Sequence, residues 1–210
     1  MRVLITAGPT REPIDAVRYI GNRSSGRMGA ALAAAALGAG HSVTLVLGPV
    51  SIAMPSQTRR IEVETAAQMH QAVISEFANH DLLIMAAAVA DYRPKVVRTD
   101  KTPRQGSITI ECEATEDIVA DAARIKRPDQ RIVGFSLELH GNIDRARDKL
   151  SRKNLDLIVY NPTETMNSES VQATLLWPDG RIESLAASEK PAFADVLMAR
   201  SGALFQANAR

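Results

Sequence analysis

Between residues 6 and 29 the chain reads TAGPTREPIDAVRYIGNRSSGRMG, which brings Arg11, Arg18, Arg23 and Arg27 together with Ser24-Ser25-Gly26. Gly29 to Leu37 is Ala-rich and reads as a helix, so Ser-Ser-Gly stands immediately before its start. Unpaired backbone N–H groups at a helix start, with hydroxyls and guanidinium groups, can hold an anion. The competing reading is a surface loop with solvated arginines. The dinucleotide fingerprint G-x-G-x-x-G is absent; Gly26-x-x-Gly29 alone is weak. A second candidate is AAAVADYRPK, residues 86–95. Its small residues let a ligand lie close to the backbone. Asp91 could accept hydrogen bonds from a base or ribose, or could serve as an Asx-turn or helix cap. The polar stretch from Arg98 to Gly106 carries Lys101 and Arg104, and reads as a mobile flap over phosphates or as solvated charge.

Other positions are less informative. Phe135 lies in an aliphatic strand and suits a core role. Lys149 and Lys153 share a helix face, where like charges repel unless an anion lies between them. His41, His70, His80 and His140 are scattered and suggest no metal cluster, and Cys112 reads as a reduced, buried thiol. No Ser-His-Asp or Cys-His arrangement can be picked out, so no protein nucleophile is expected.

These residues must be positioned by alternating strands and helices. Val3–Thr6, Ser42–Leu47, Arg60–Val63, Leu82–Met85, Arg131–Leu137 and Leu155–Tyr160 read as short buried strands. Ala66–Ala78, Asp117–Ile125, Ile143–Lys153 and Pro191–Met198 read as helices between or after them. Ile108–Glu113 alternates like a half-exposed strand. Val171–Trp177 and Arg181–Leu185 flank Pro178-Asp-Gly180 and form a hairpin by turn chemistry. The pattern predicts one domain over residues 1–210, a doubly wound, mostly parallel α/β sheet with helices on both faces. Ligands of such sheets bind at the carboxyl ends of strands, where the candidate loops fall.

Composition removes several partner classes. The 25 Lys+Arg against 24 Asp+Glu leave a net charge of +1, against a duplex nucleic acid or an anionic membrane. Aromatic residues are 4%, too few for a base-stacking surface. A lone cysteine excludes an intrachain disulfide, no apolar run approaches a membrane span and no export signal appears, so the expected compartment is the cytoplasm.

The stretch VLITAGPTREPIDAVRYIGNRSSGRMGAALA resembles the opening of phosphopantothenoylcysteine synthetase, a coenzyme A biosynthesis family. The resemblance continues through AAAVADYRP, VGFSLE, DKLSRKNLDLIVYN and LLWPDG, nearly the whole chain. It implies a Rossmann-like homodimer joining 4′-phosphopantothenate to L-cysteine, with CTP activating the carboxylate as an acyl-cytidylate and Mg²⁺ held mainly by the phosphates. In many bacteria the family is half of a bifunctional protein with a flavin-dependent decarboxylase. That decarboxylase is the implied partner or fused domain, and no flavin is expected in this chain.

The resemblance implies catalytic roles for Arg18, Asn22 and Lys101, with Asn22 bonding the acyl carbonyl. It implies nucleotide contacts at Met85, Ala86, Ala87, Asp91, Lys101, Glu116, Asp117, Ile118, Val119, Phe135, Lys149 and Lys153. Gly8, Arg23, Ser24, Ser25, Gly26 and Ala88 are the implied phosphate and substrate contacts. The sequence departs from the family pattern in places. The flap reads Lys101-Thr-Pro-Arg104 rather than Lys-x-Lys-Lys. Thr115-Glu116-Asp117-Ile118 stands for Asn-Pro-Asp-Ile, which adds a negative charge beside the nucleotide. Tyr160-Asn161 stands for Ala-Asn, Ala16 for a proline and Arg27 for a lysine. ATP in place of CTP, and an inactive nucleotide-binding subunit or sensor, stay open. An NAD(P)-dependent oxidoreductase is disfavoured, because no acidic residue follows the second strand.

Overall fold

A computed structural model describes residues 1–101, 103, 106–138, 143–162 and 170–206. Arg104 and His140 lie outside the described residues. In chain order the elements are β1 (Arg2–Ala7), β2 (Arg11–Pro13), β3 (Tyr19–Gly21), α1 (Arg27–Gly38), β4 (Ser42–Leu47), β5 (Arg59–Glu62) and α2 (Ala66–Phe77). They continue as β6 (Leu82–Met85), β7 (Tyr92–Pro94), β8 (Cys112–Ala114), α3 (Ile118–Arg124), β9 (Arg131–Glu138) and α4 (Ile143–Arg152). The last are β10 (Leu157–Pro162), β11 (Ser170–Leu176), β12 (Ile182–Glu189) and α5 (Lys190–Ala203).

Eight strands form the main sheet in the order β12-β11-β10-β9-β6-β1-β4-β5. The six from β5 to β10 run parallel, and β11 and β12 add an antiparallel hairpin at one edge. This is the expected doubly wound sheet. Alternate strand residues serve opposite faces. Val3, Ile5 and Ala7 pack with Leu32 and Ala33 of α1 and Leu197 of α5. Leu4 and Leu83 pack instead with Phe77 of α2, Ile118 of α3 and Leu150 of α4. Because both faces are covered, the strands are apolar throughout rather than alternating with charge. At the start of α1 a Cβ on Gly29 would stand 2.3 Å from the Ala7 side chain, so glycine lets the helix close onto β1. Among the described residues, no helix is long and apolar enough to cross a membrane.

Two long connections differ from expectation. The segment after β1 is not plain loop: β2 and β3 pair as a small antiparallel ribbon. The segment after β6 holds a second ribbon, β7 with β8. The strand expected over Ile108–Glu113 is confined to Cys112–Ala114, because its partner is only three residues long and Ile108 and Ile110 stay exposed. Cys112 is half-buried in this ribbon rather than in the core. At the other end, β12 and α5 run longer than expected, to Glu189 and Ala203.

Candidate functional site

The chain order reverses between β1 and β6: β4 and β5 extend one side of β1, β6 and β9 the other. Loops leaving these two strands diverge to opposite faces and open a crevice at their carboxyl ends. Here that crevice is a cleft of about 620 Å³, large enough for a small molecule. It is lined by Asn22 and Arg23, by Met85 and Ala87–Asp91, and by Thr115–Val119. Phe135–Leu137, Lys149 and Lys153 complete it. A smaller cavity of about 270 Å³ adjoins it across Arg23, Ala87, Ala88 and Phe135, reaching Ser24, Ser25, Gly26 and Ala86 at the start of α1.

The two long connections are laced together at the crevice. Pro9 bridges Ala88, and the Ala88 N–H donates to Gly8 O at 2.9 Å. The Thr10 hydroxyl accepts the Ala90 N–H at 2.9 Å. Asn22 follows β3 directly, and its Nδ2 donates to Val89 O at 2.7 Å. An amide NH₂ carries two hydrogens, so this bond holds Asn22 in place while a second donor remains. Gly26 caps α1 with φ +76°, and its N–H donates to Ser24 Oγ at 3.4 Å.

The opposite wall is set by charge. Asp117 caps α3 by accepting the Ala120 N–H at 3.1 Å, and also pairs with Lys153 at 2.9 Å. Burial pushes its carboxyl up, but the Lys153 ion pair, the cap and the nearby Lys149 outweigh this and hold it below the ordinary range. Arg93 donates to both oxygens of Glu116, at 2.7 and 3.0 Å, and to Glu113 at 2.9 Å. The Arg93 hydrogen bond is the main reason the Glu116 carboxyl is held low. Glu116 is therefore a neutralised neighbour of the cleft, not the bare negative charge the sequence suggested. Lys149 donates to Phe135 O at 2.7 Å. The Asp117 carboxylate, paired with Lys153 and held low also by the charge of Lys149, offsets the repulsion between the two lysines.

Most of the expected residues thus converge. Asn22, Met85, Ala87, Asp91, Glu116, Asp117, Ile118, Val119, Phe135, Lys149 and Lys153 line one cleft, with Ala88 and Arg23 between it and the smaller cavity. Phe135 is both half-buried against the core and part of the wall, which unites its two readings. No helix starts at Asp91, so the helix-cap reading fails. Three residues stay outside both cavities. Gly8 serves through its carbonyl. Lys101 is exposed on the stretch between β7 and β8. Arg18 sits at the tip of the first ribbon, where it pairs with the buried Asp15. Thr115, Ser136, Asn161 and Lys190 in the linings, and Arg93 as the partner of Glu116, were not anticipated. The only sequence signal for Arg93 is an odd charge beside Asp91 in ADYRP; Thr115, Ser136 and Asn161 fall within the family-like motifs, and Lys190 carries no signal.

Comparison with known proteins agrees with this fold. A family model described as DNA/pantothenate metabolism flavoprotein C-terminal domain matches residues 1–203. The coenzyme A biosynthesis bifunctional protein CoaBC of Vibrio cholerae is 45% identical over 204 residues, 94% of this chain and 51% of that protein. A cysteine/cysteine sulfinic acid decarboxylase of an unknown prokaryote is 50% identical over 162 residues, 76% of this chain and 45% of that protein. The chain thus spans about half the length of these relatives, and the activities in their names are those of the longer proteins. The crystal structure of the C-terminal domain of a CoaBC protein superposes with a TM-score of 0.86 at 36% identity, covering 99% of this chain and 96% of that one. The chain belongs to the DNA/pantothenate metabolism flavoprotein C-terminal domain family, the phosphopantothenoylcysteine synthetase family that its motifs resemble.

Proposed function

We propose that this chain joins 4′-phosphopantothenate to L-cysteine in coenzyme A biosynthesis, with CTP activating the carboxylate. The observation that carries this is Asn22, which lines the larger cleft and is held there by its bond to the Val89 carbonyl. The difficulty of the reaction is anion meeting anion: a carboxylate must approach a triphosphate, so catalysis is positioning and charge neutralisation. The nucleotide lies along Met85–Ala88, its base between Phe135 and the 116–119 segment, its phosphates toward Lys149 and Lys153. Attack of the carboxylate on the α-phosphate releases pyrophosphate and leaves an acyl-cytidylate. The cysteine amine then attacks the acyl carbon and expels CMP. The second N–H of Asn22 stabilises the oxygen that gains charge in that step. No protein nucleophile is required.

Among the described residues, no three His, Cys, Asp or Glu side chains gather as a metal site. The Mg²⁺ that such a reaction uses would enter on the nucleotide phosphates, where it offsets their charge. A homodimer accounts for Arg18 and Lys101, which stay outside the cleft. Large exposed apolar side chains concentrate on the ribbons and the stretch between them: Val17, Tyr19, Tyr92, Val96, Val97 and Ile108. A second copy seated there would cover them and bring Arg18 and Lys101 toward its partner's cleft. The product keeps the cysteine carboxylate, so a decarboxylase, fused or separate, is its consumer in the cytoplasm.

The test is pyrophosphate and amide formation from 4′-phosphopantothenate, cysteine and Mg²⁺ with CTP or ATP. CTP-dependent release is expected; release with ATP alone changes the nucleotide, and none with either ends the ligase reading. Sedimentation of Val96→Asp against the parent chain tests the dimer.

A further inference from the structure

Two acidic side chains of the first connection are buried although neither lines the cleft: Glu12 is 2% exposed and Asp15 4%. Asp15 folds the turn of the ribbon, accepting the Val17 and Arg18 N–H groups at 2.9 Å. Glu12 reaches outward. Its Oε1 accepts the N–H of Ala66, the first residue of α2, at 2.8 Å. The first N–H groups of a helix have no partner within it, and its positive end favours a carboxylate. The local sequence satisfies part of this need itself: Thr65 Oγ1 accepts the Gln68 N–H at 3.2 Å, and Gln68 Oε1 accepts the Thr65 N–H at 3.1 Å. Glu12 completes the cap from far away in sequence. Beside it the Arg11 N–H donates to Glu64 O at 2.8 Å.

Strand β2 is thereby stapled to the start of α2 at two adjacent residues. Its partner β3 sets Ile20 opposite Glu12 and Gly21 opposite Arg11, and Asn22 comes next. A Cβ on Gly21 would lie 2.6 Å from Thr10 O, so β3 runs hard against the strand exit from β1. A continuous path of bonded and packed groups therefore leads from the α2 terminus through Glu12 and the ribbon to Asn22. We infer that Glu12 is a positioning residue: by capping α2 with its side chain, it sets the ribbon so that the Asn22 amide meets the Val89 carbonyl at the cleft. The inference rests on the reading of Asn22 as the donor to the acyl carbonyl.

The experiment is a double-mutant cycle read separately on pyrophosphate release without cysteine and on amide formation with it. Glu12→Met keeps length and removes the acceptor. It should slow amide formation by roughly 10- to 100-fold, as misplacement of a reacting group by about an ångström can, and leave the nucleotide KM unchanged. The Glu12→Met, Asn22→Ala double variant should be no slower than Asn22→Ala alone. Glu12→Gln, whose amide oxygen can accept the Ala66 N–H, should recover the parent rate. Multiplying losses in the double variant, or equal losses in both half-reactions without rescue by glutamine, would leave Glu12 a scaffold role and overturn the inference. Unaltered amide formation in Asn22→Ala instead removes the role of Asn22 itself, and the inference with it. If Glu12→Met does not fold, Glu12→Asp, one methylene too short for Ala66, carries the same cycle.

Discussion

The main sheet with its helices and the two ribbons at its carboxyl edge are held together by different forces. The sheet is apolar: Leu4, Ile5, Leu45, Leu83, Ile84 and Phe77 are fully buried, and its order follows from removing such surface from water. The ribbons have three-residue strands and expose Tyr19, Tyr92 and Val96. They are fixed by discrete polar ties, Glu12 to Ala66, Asn22 to Val89, Thr10 to Ala90 and Arg93 to Glu116. A packed core tolerates little displacement but specifies no chemistry. Polar ties carry donors and acceptors to chosen points and break singly. The candidate site draws on both: Asn22 and Asp91 come from beside the ribbons, and Met85, Phe135 and Lys149 from the sheet and its helices.

That contrast can be broken from either side. The largest effect belongs to the core: Phe77→Ala should cost about 3–5 kcal/mol of stability, read by denaturant unfolding, with the activity per folded molecule unchanged. A change of activity at equal folded fraction would show that core and site are not separable. Lys101→Ala should do the reverse. We expect kcat/KM to fall roughly 10- to 100-fold, since removal of a single charged or polar stabiliser costs about this much or more, with Tm unmoved. Pro103 leaves the flap fewer cations to compensate. Unchanged turnover would take Lys101 out of the reaction.

Arg93→Gln is smaller and joins the two regions. It should raise the nucleotide KM by roughly 3- to 10-fold, the scale of an ion pair about one-third exposed. It also has a pH signature. The folded Glu116 carboxyl is held low chiefly by the Arg93 hydrogen bond, so its contribution is complete above the unfolded value of about 4.3 and is lost as pH falls through the lower folded value. Part of the acid sensitivity of stability below about pH 4.3 should vanish in Arg93→Gln; identical acid transitions in both proteins would contradict this assignment. Smallest of all is Asp144→Ala, which removes an exposed pair with Arg147 on α4. Stability should shift by less than about 0.5 kcal/mol. A larger loss in calorimetry would mean that surface charge supports the sheet more than its packing implies.

Legibility in the sequence follows the same division. The parallel strands were readable because burial on both faces demands runs such as RVLITA and SVTLVL. Their order pointed to the carboxyl ends as the place for a site. The ribbons were not readable as strands. REP, YIG, YRP and CEA are too short to show a period, and their pairing depends on partners far along the chain. Glu12 illustrates the limit: in TREPID it looks like one more solvated charge, and nothing local announces that Ala66 lies above it. Glu116 shows the converse. Its charge was plain, but its neutralisation by Arg93 is a contact across a ribbon, invisible to spacing.

The residues by themselves determined the fold class, the family and the small set of loops where chemistry could occur, because hydrophobic period and long motifs are local properties. Tertiary structure decided which of those loops meet, that Lys153 pairs with Asp117 while Lys149 reaches the Phe135 carbonyl, and that Arg18 and Lys101 lie outside the cleft they were expected to serve. Such facts depend on distances between segments tens of residues apart, and those distances are set only when the two faces of the sheet close over their cores.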